Sequence, residues 1–469
     1  MTTAAMPAAD VDLFADPVLA DPYPAYRVLR DAGPAVYLPG YRVWVLARDR
    51  EVRHALDHPE VFAATRPAGL FDGLTAGEAV RAPAWPACGH ARSESVEGRP
   101  GGPAHLAAGG FLGDAVSAHR DTSDLAERLT CAPGGSTWDE SLRAIAAHPS
   151  LRTFAGLQAF ITDQAERIVD DLVAYGSFDA VTELAHRFPL KTIGTLIGLP
   201  AESRSDLLLC AEASLQAHGP LDDHTVRTLL DLEHIFALLV AELAAARAPE
   251  TAVLPTPTAS VTAPVRRGGG TTPPDTAGAF PGTFLAPPPG GVLGQAAIAH
   301  LLSSFAMPCV HTIAAGITGM LWLLATHPGA WHALRADPSL VPAAVEESLR
   351  LETPVQMYSR ITTREVRIGD TLIPEGERVL LLLGAANRDP RRWPAPDRFD
   401  LHRNPTDHLG FGYGTQASLT ATLAKTHLRA VLNALVRRAN HLYLDGCPRR
   451  RISTTTRAFA TLPLHVTPW

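Results

Sequence analysis

His311 and Thr312 stand side by side in a long stretch, Val292 to Leu334, that carries no Asp, Glu, Lys or Arg. Imidazole is the side chain best poised to move a proton near neutral pH, so the pair could form an acid–base couple. No second catalytic group at a meaningful spacing supports that role. A lone histidine on an apolar helix can equally be a core residue with its hydrogen bonds satisfied. Glu347 and Arg350 are spaced one helical turn apart, which taken alone describes a solvated surface pair. The five cysteines (Cys88, Cys131, Cys210, Cys309, Cys447) are odd in number and scattered, with no CxxC. That argues against a zinc site or a disulfide framework and suits a reducing cytoplasm.

These residues need a scaffold, and the composition allows a large one. Of 469 residues, 46% are apolar and 19% charged. Such a chain can bury a sizeable core and is not globally disordered. Length alone suggests about three domains of ~150 residues. The formal charge of -7 leaves no basic footprint for nucleic acid. The N-terminus has neither a basic nor an apolar leader region, so no signal peptide is expected. The uncharged stretch around His311 contains Pro308 and has no basic flank on its N-terminal side. It reads as a helix buried on all sides rather than a membrane span.

Local patterns place the remaining elements. DPYPAYRVLRDAG reads as a short helix, and AVYLPGYRVWVLA as two short strands around Pro39-Gly40. Asp49 stands where an N-cap belongs, ahead of a helix with Val52 and Leu56 on one face. Residues 63–137 are poor in pattern. Phe154, Leu157, Ile161, Ala165, Ile168 and Leu172 form a sustained helical stripe, and a further helix is expected over 225–247. Residues 249–289 hold ten prolines and read as a spacer or surface insertion. A proline-rich partner ligand is the other reading of that stretch. EVRIGDTLIPEGERVLLLL reads as strands. Ala424, Leu428, Val431 and Leu435 mark one face of a last helix from about 419 to 439.

Four phrases in order, ADPYPAYRVLRDAGP, THPGAWHALRADPSLVPAAVEESLR, AANRDPRRWPAPDRFDLHR and HLGFGYG, resemble bacterial cytochromes P-450. The resemblance runs end to end except for 63–137 and 249–289. It implies one mainly α domain with small β-sheets over 1–469, which displaces the three-domain prior. It also implies a heme pocket in which a cysteine thiolate ligates iron and favours O–O cleavage. Here the family's F-G-x-G-x-x-x-C-x-G reads Phe411-Gly412-Tyr413-Gly414-Thr415-Gln416-Ala417-Ser418-Leu419-Thr420. Ser418 holds the ligand position and Thr420 replaces the last glycine. A serine hydroxyl stays protonated near neutral pH and cannot supply the thiolate's push. The family's A-G-x-acid-Thr becomes Pro308-Cys309-Val310-His311-Thr312, and Pro308 is expected to kink or interrupt the helix. Glu347 and Arg350 fit the family's E-x-x-R motif, with Arg398 expected as the third member of a structural network. Arg360 and His408 match positions that pair with heme propionates, and Arg143 is a further candidate. The other reading of these three is that they now bind solvent or carboxylates.

With ligand, glycine, acid and Ala-Gly pair all altered, the resemblance narrows to a cysteine-lacking branch. Its members activate or stabilise glycosyltransferases of nucleotide-activated deoxysugars in macrolide and anthracycline biosynthesis. The expectation is therefore a non-catalytic partner in a stable hetero-oligomer, without a cofactor, in the cytoplasm. The Arg-rich, nearly Lys-free composition suits an actinomycete-type coding bias. Two enzyme readings stand beside it. One is an oxidoreductase with heme on a non-cysteine ligand. The other is a heme-free keto-sugar isomerase with His311 as base.

Overall fold

Short, proline-punctuated elements open the chain, because Pro and Gly stop each one after a few residues. Helices α1 (Asp16–Ala20) and α2 (Tyr23–Ala32) each carry a proline in the first turn, where its missing N–H leaves no gap in the ladder. Strands β1 (Val36–Leu38) and β2 (Val43–Leu46) pair antiparallel around Pro39-Gly40, as expected. The structure is a computed structural model that describes residues 9–64, 154–216, 235–244, 298–299, 302–413 and 419–469. The expected irregular stretch beyond residue 64, the insertion 249–289, Arg143 and Ser418 lie outside the described residues.

Helix α3 (Asp49–Asp57) corrects one expectation. Asp49 is its first helical residue rather than its cap. The cap comes from elsewhere in the chain: the Asp389 carboxylate accepts the Asp49 N–H at 3.0 Å. Asp49 itself is buried and accepts from Arg53 Nε at 2.8 Å. Residues 63 and 64, expected to be irregular, end strand β3 (Phe62–Ala64).

The helical layers follow the apolar stripes. Helix α4 (Phe154–Tyr175) buries Leu157, Ile161, Ala165, Ile168 and Leu172. Strand β4 (Ser177–Asp179) and a π-helical turn, Val181–His186, lead into α5 (Arg187–Ile197) and α6 (Arg204–Gln216). Of the helix expected over 225–247, the described part is 235–244, and it is helical. A second π-helical turn, Leu302–Ala306, passes into the central helix α7 (Met307–Thr326). This helix has the length and apolarity to cross a membrane, yet it is buried in the core on nearly every side. Gly319 lets it approach α9: a Cβ there would meet Glu352 Cβ at 2.9 Å. Helices α8 (Pro328–Ala336) and α9 (Val341–Leu351) follow, then a short α10 (Leu383–Ala386). The last helix, α11 (Leu419–Arg438), fully buries Ala424, Leu428, Val431 and Leu435.

The hairpin β6 (Val366–Ile368) and β7 (Thr371–Ile373), and β8 (Arg378–Leu382), fall where EVRIGDTLIPEGERVLLLL placed strands, while β5 (Met357–Thr362) precedes that phrase and was not expected. A five-stranded sheet has the order β1-β2-β8-β5-β3, with only β2 and β8 parallel. At the C-terminus come β9 (Ala439–Leu444), β10 (Arg449–Arg450), β11 (Phe459–Thr461) and β12 (Pro463–Pro468). Strand β12 pairs with β4 and β9, and β10 forms a hairpin with β11. The described residues are thus mainly helical with small sheets.

Candidate functional site

Three charge clusters built on the buried carboxylates of Glu346, Glu347 and Glu352 tie α9 and the residue after it to the meander, the 408 loop, α11 and the C-terminal hairpin. The first is built on Glu347, whose side chain is completely buried, as is that of Arg350. Arg350 donates from Nε to Glu347 Oε2 at 2.7 Å and from Nη2 to Oε1 at 2.9 Å. Its Nη1 donates to the carbonyls of Asn387 and Pro396, each at 2.8 Å. So the pair is no surface feature. The expected third member is corrected: Arg403, not Arg398, brings the second guanidinium, with Nε 3.0 Å from Glu347 Oε1. Arg398 contributes only its carbonyl oxygen to Arg350, and its side chain is exposed. The meander turns at Ala395 with φ +47°, and its carbonyls, rather than the Arg398 side chain, face the network.

Glu352 anchors the second cluster. Three guanidiniums surround it: Arg450 at 2.8 Å, Arg457 at 3.0 Å and Arg388 at 3.5 Å. Burial would raise its carboxyl pKa, but Arg457, Arg450 and Arg388 outweigh burial and hold it below the ordinary value. The Tyr23 ring lies under Arg388, 3.3 Å from its carbon Cζ. Glu346 anchors the third, with Lys425 at 2.7 Å, Arg429 at 3.0 Å and His408 at 3.2 Å. Sequence reading found neither of these clusters. The partners lie dozens of residues apart, and no short spacing announces them.

His408 was expected toward a heme propionate. It is instead buried against Glu346, and its Nδ1 accepts the Gly410 N–H at 2.9 Å. That acceptor role puts the ring proton on Nε2, facing the carboxylate. Asn387 clamps the same loop, accepting the Leu409 N–H at 2.7 Å and donating to Thr353 Oγ1 at 2.8 Å. Gly410 packs against the Leu349 carbonyl, where a Cβ would stand 2.8 Å away, and Gly412 turns the chain at φ +83°. Residues 408–412 are therefore tightly held.

On α7 the expected couple is not a working unit. Thr312 turns its hydroxyl back to the Pro308 carbonyl at 2.8 Å. His311 is buried, and its Nδ1 has no hydrogen-bond partner among the described residues. Burial, then Arg451 and His186, push its pKa down to about 3, so it is neutral at physiological pH. It faces a cavity of about 10 Å³ lined by His186, Ala314, Thr318, Arg451 and Phe459. That space holds about one water, so among the described residues His311 faces no room for a sugar. Pro308 does interrupt the regular helix: it is the second residue after the change from π to α winding.

The heme that the fold implies can be tested against the residues present. Among residues 307–321 Pro308 is the most exposed, so α7 is least covered on the face where Pro308 lies. Arg360 on β5 is buried, donates to the Ser359 carbonyl at 2.7 Å and has its pKa pushed down to about 10 by burial. A cation so desolvated suits an anionic group such as a propionate. Among the described residues the donor set does not suit a thiolate-ligated iron. Residue 418 is serine. Burial pushes the thiols of Cys210 and Cys309 up, the former to about 12, so neither is a ready thiolate. The residues fit a heme held at Arg360 and the 408–413 loop, and they do not fit the usual sulfur ligand.

Comparison with known proteins agrees with the fold. The profile of the family Cytochrome P-450 matches residues 289–466. Cytochrome P-450 CYP199A2 of Rhodopseudomonas palustris is 31% identical over 99% of this chain and 96% of its own length. The biotin biosynthesis cytochrome P-450 of Bacillus subtilis is 40% identical over 32% of this chain and 38% of its own. The solved structure of CalO2 superposes with a TM-score of 0.72 at 24% identity, covering 98% of this chain and 99% of CalO2. P450BioI, solved in complex with a loaded acyl carrier protein, gives 0.73 at 22% identity, over 96% of this chain and all of its own. Cytochromes are heme proteins, so these relatives overturn the expectation that the chain has no cofactor. Matched from end to end by a relative above 30% identity, and folded as its members fold, the chain belongs to the cytochrome P-450 family.

Proposed function

We propose that this chain uses the cytochrome P-450 scaffold for a partner rather than for oxygen insertion. The partner is a glycosyltransferase of a nucleotide-activated deoxysugar in macrolide- or anthracycline-type biosynthesis, which the chain activates or stabilises. One contrast carries the reading. Ser418 replaces the thiolate, while the buried Glu347, Arg350 and Arg403 network is complete. A scaffold kept whole without its sulfur ligand is most simply kept for its surface. Arg360 and the loop clamped by Asn387 and His408 would hold a heme. When bound, that heme would supply iron chemistry without the thiolate push that favours O–O cleavage, because residue 418 is a serine. Thr312, bonded back to its own helix, has its proton engaged at the Pro308 carbonyl.

A second reading, an oxidoreductase working with an oxygen-ligated heme, is favoured by the end-to-end match to CYP199A2. The two separate in co-expression with a candidate deoxysugar glycosyltransferase, followed by size-exclusion chromatography and a sugar-transfer assay. Co-elution with a large gain in transfer supports the partner reading. A permanent complex should bury about 2,000 Å² or more. Indifference of the transferase, together with substrate oxidation by the heme-loaded protein, supports the second reading and ends the first. Under either, the reduced protein with carbon monoxide should lack the thiolate-type difference band.

A further inference from the structure

The hairpin of β10 and β11 is tied to the rest of the molecule on two sides by different chemistry. On one side Arg450 and Arg457 grip Glu352, and backbone bonds run from Arg457 N–H to the Pro354 carbonyl (3.0 Å) and from Gln356 N–H to the Thr455 carbonyl (2.7 Å). On the other side Arg451 alone reaches across to α6, with Nη1 2.8 Å from Glu212 Oε1. That same oxygen lies 3.9 Å from His186 Nε2. His311 on α7 closes the group from the core side, across the small cavity it shares with His186, Arg451 and Phe459.

We infer that His186, Glu212 and Arg451 form an acid-released latch on this hairpin. The groups facing His186 are Glu212 from α6, Arg451 from the hairpin, His311 from α7 and Asp179 from β4. With His186 neutral, Glu212 serves Arg451 alone. A proton on His186 sets a second cation beside Arg451 and His311 and competes for the same carboxylate oxygen. His186, Glu212 and Arg451 are each partly exposed, so the proton arrives from solvent. His311 cannot share it, since burial keeps that ring neutral. The Glu352 side has no histidine and a carboxyl held well ionised, so it stays closed. Acid therefore frees the Arg451 side while the Glu352 side acts as the hinge.

The direction follows from the His186 environment. Burial lowers its pKa and Glu212 only partly restores it, so the latch is closed at neutral pH and opens below the ordinary histidine range. Hydrogen exchange of the full-length protein, corrected for intrinsic rates, tests this at about pH 7.5 and about pH 5. The Arg451 amide, bonded to the Ala458 carbonyl at 3.1 Å, should lose protection about tenfold on acidification. The Arg457 amide should not change. His186→Gln should hold the Arg451 amide protected at both pH values. Glu212→Gln should leave it unprotected at both. Protection that is equal at the two pH values in the unmodified protein, or a His186→Gln variant that still responds, would overturn the inference.

Discussion

Removing Arg403 should destabilise the protein, and removing Arg398 should not. Glu347 has no exposure, and its Oε1 accepts from Arg350, Arg403 and the Asp400 N–H. Arg403→Ala deletes one charged hydrogen bond to that buried carboxylate, worth about 1.5–3 kcal/mol. It also frees the Pro394 and Ala395 carbonyls, which water can partly recover because they sit near the surface. Arg350 remains, so the loss stays below the ~3–5 kcal/mol of a fully broken buried pair. The expected cost is about 3 kcal/mol. Arg398→Ala removes an exposed side chain whose carbonyl survives, so it should stay within about 0.5 kcal/mol. Urea unfolding followed by circular dichroism measures both. At about 2 cal/mol/K of unfolding entropy per residue, a chain of 469 residues moves only about 1 °C per kcal/mol, so the chemical midpoint is the better readout. Equal costs for the two variants, or a neutral Arg403→Ala, would refute the assignment of Arg403 as the third member.

Acid should weaken the fold through two buried imidazoles. His311 and His427 have folded values of about 3 and about 4, against an ordinary 6.5. The unfolded chain then binds more protons, so stability is whole above about pH 6.5 and falls as pH drops, by about 2.7 kcal/mol per unit between roughly pH 5.5 and 4.5. Urea midpoints across that range check it, and His427→Gln should reduce the slope by about one proton, ~1.4 kcal/mol per unit. A slope below one proton would contradict the burial of both rings as neutral species. Gly319→Val should cost about 1–3 kcal/mol by forcing α7 away from Glu352, a clash at 2.9 Å from the first added carbon. Its unfolding midpoint should fall well below that of Gly329→Ala, where the added carbon meets nothing within 4 Å. Finally, Asn387→Ala should loosen the loop that leads to Ser418, because the Leu409 amide loses its acceptor. Faster exchange at Leu409, with the Arg457 amide unchanged, is the expected result.

Much of this protein is legible in its sequence because the signals are local. The α11 stripe, the α4 stripe and the strand pairs around Pro39-Gly40 and Gly369-Asp370 are set by periodicity and turn residues a few positions apart. The decisive chemical fact, a serine hydroxyl where the family keeps a thiolate, is a matter of residue identity and needs no coordinates. Asp49 could not be read correctly that way, since its helix is capped by Asp389, 340 residues on. Nor could the third member of the Glu347 network. Arg398 and Arg403 sit in the same meander, and only the path of the backbone through Ala395 decides which guanidinium reaches the carboxylate. His408 and His311 had plausible functions by position. Tertiary packing gave one a carboxylate partner and left the other neutral beside a cavity the size of a water. Sequence spacing encodes neighbours along an element. Which charges share a desolvated space depends on how distant elements close over them, and that was settled only in the folded chain.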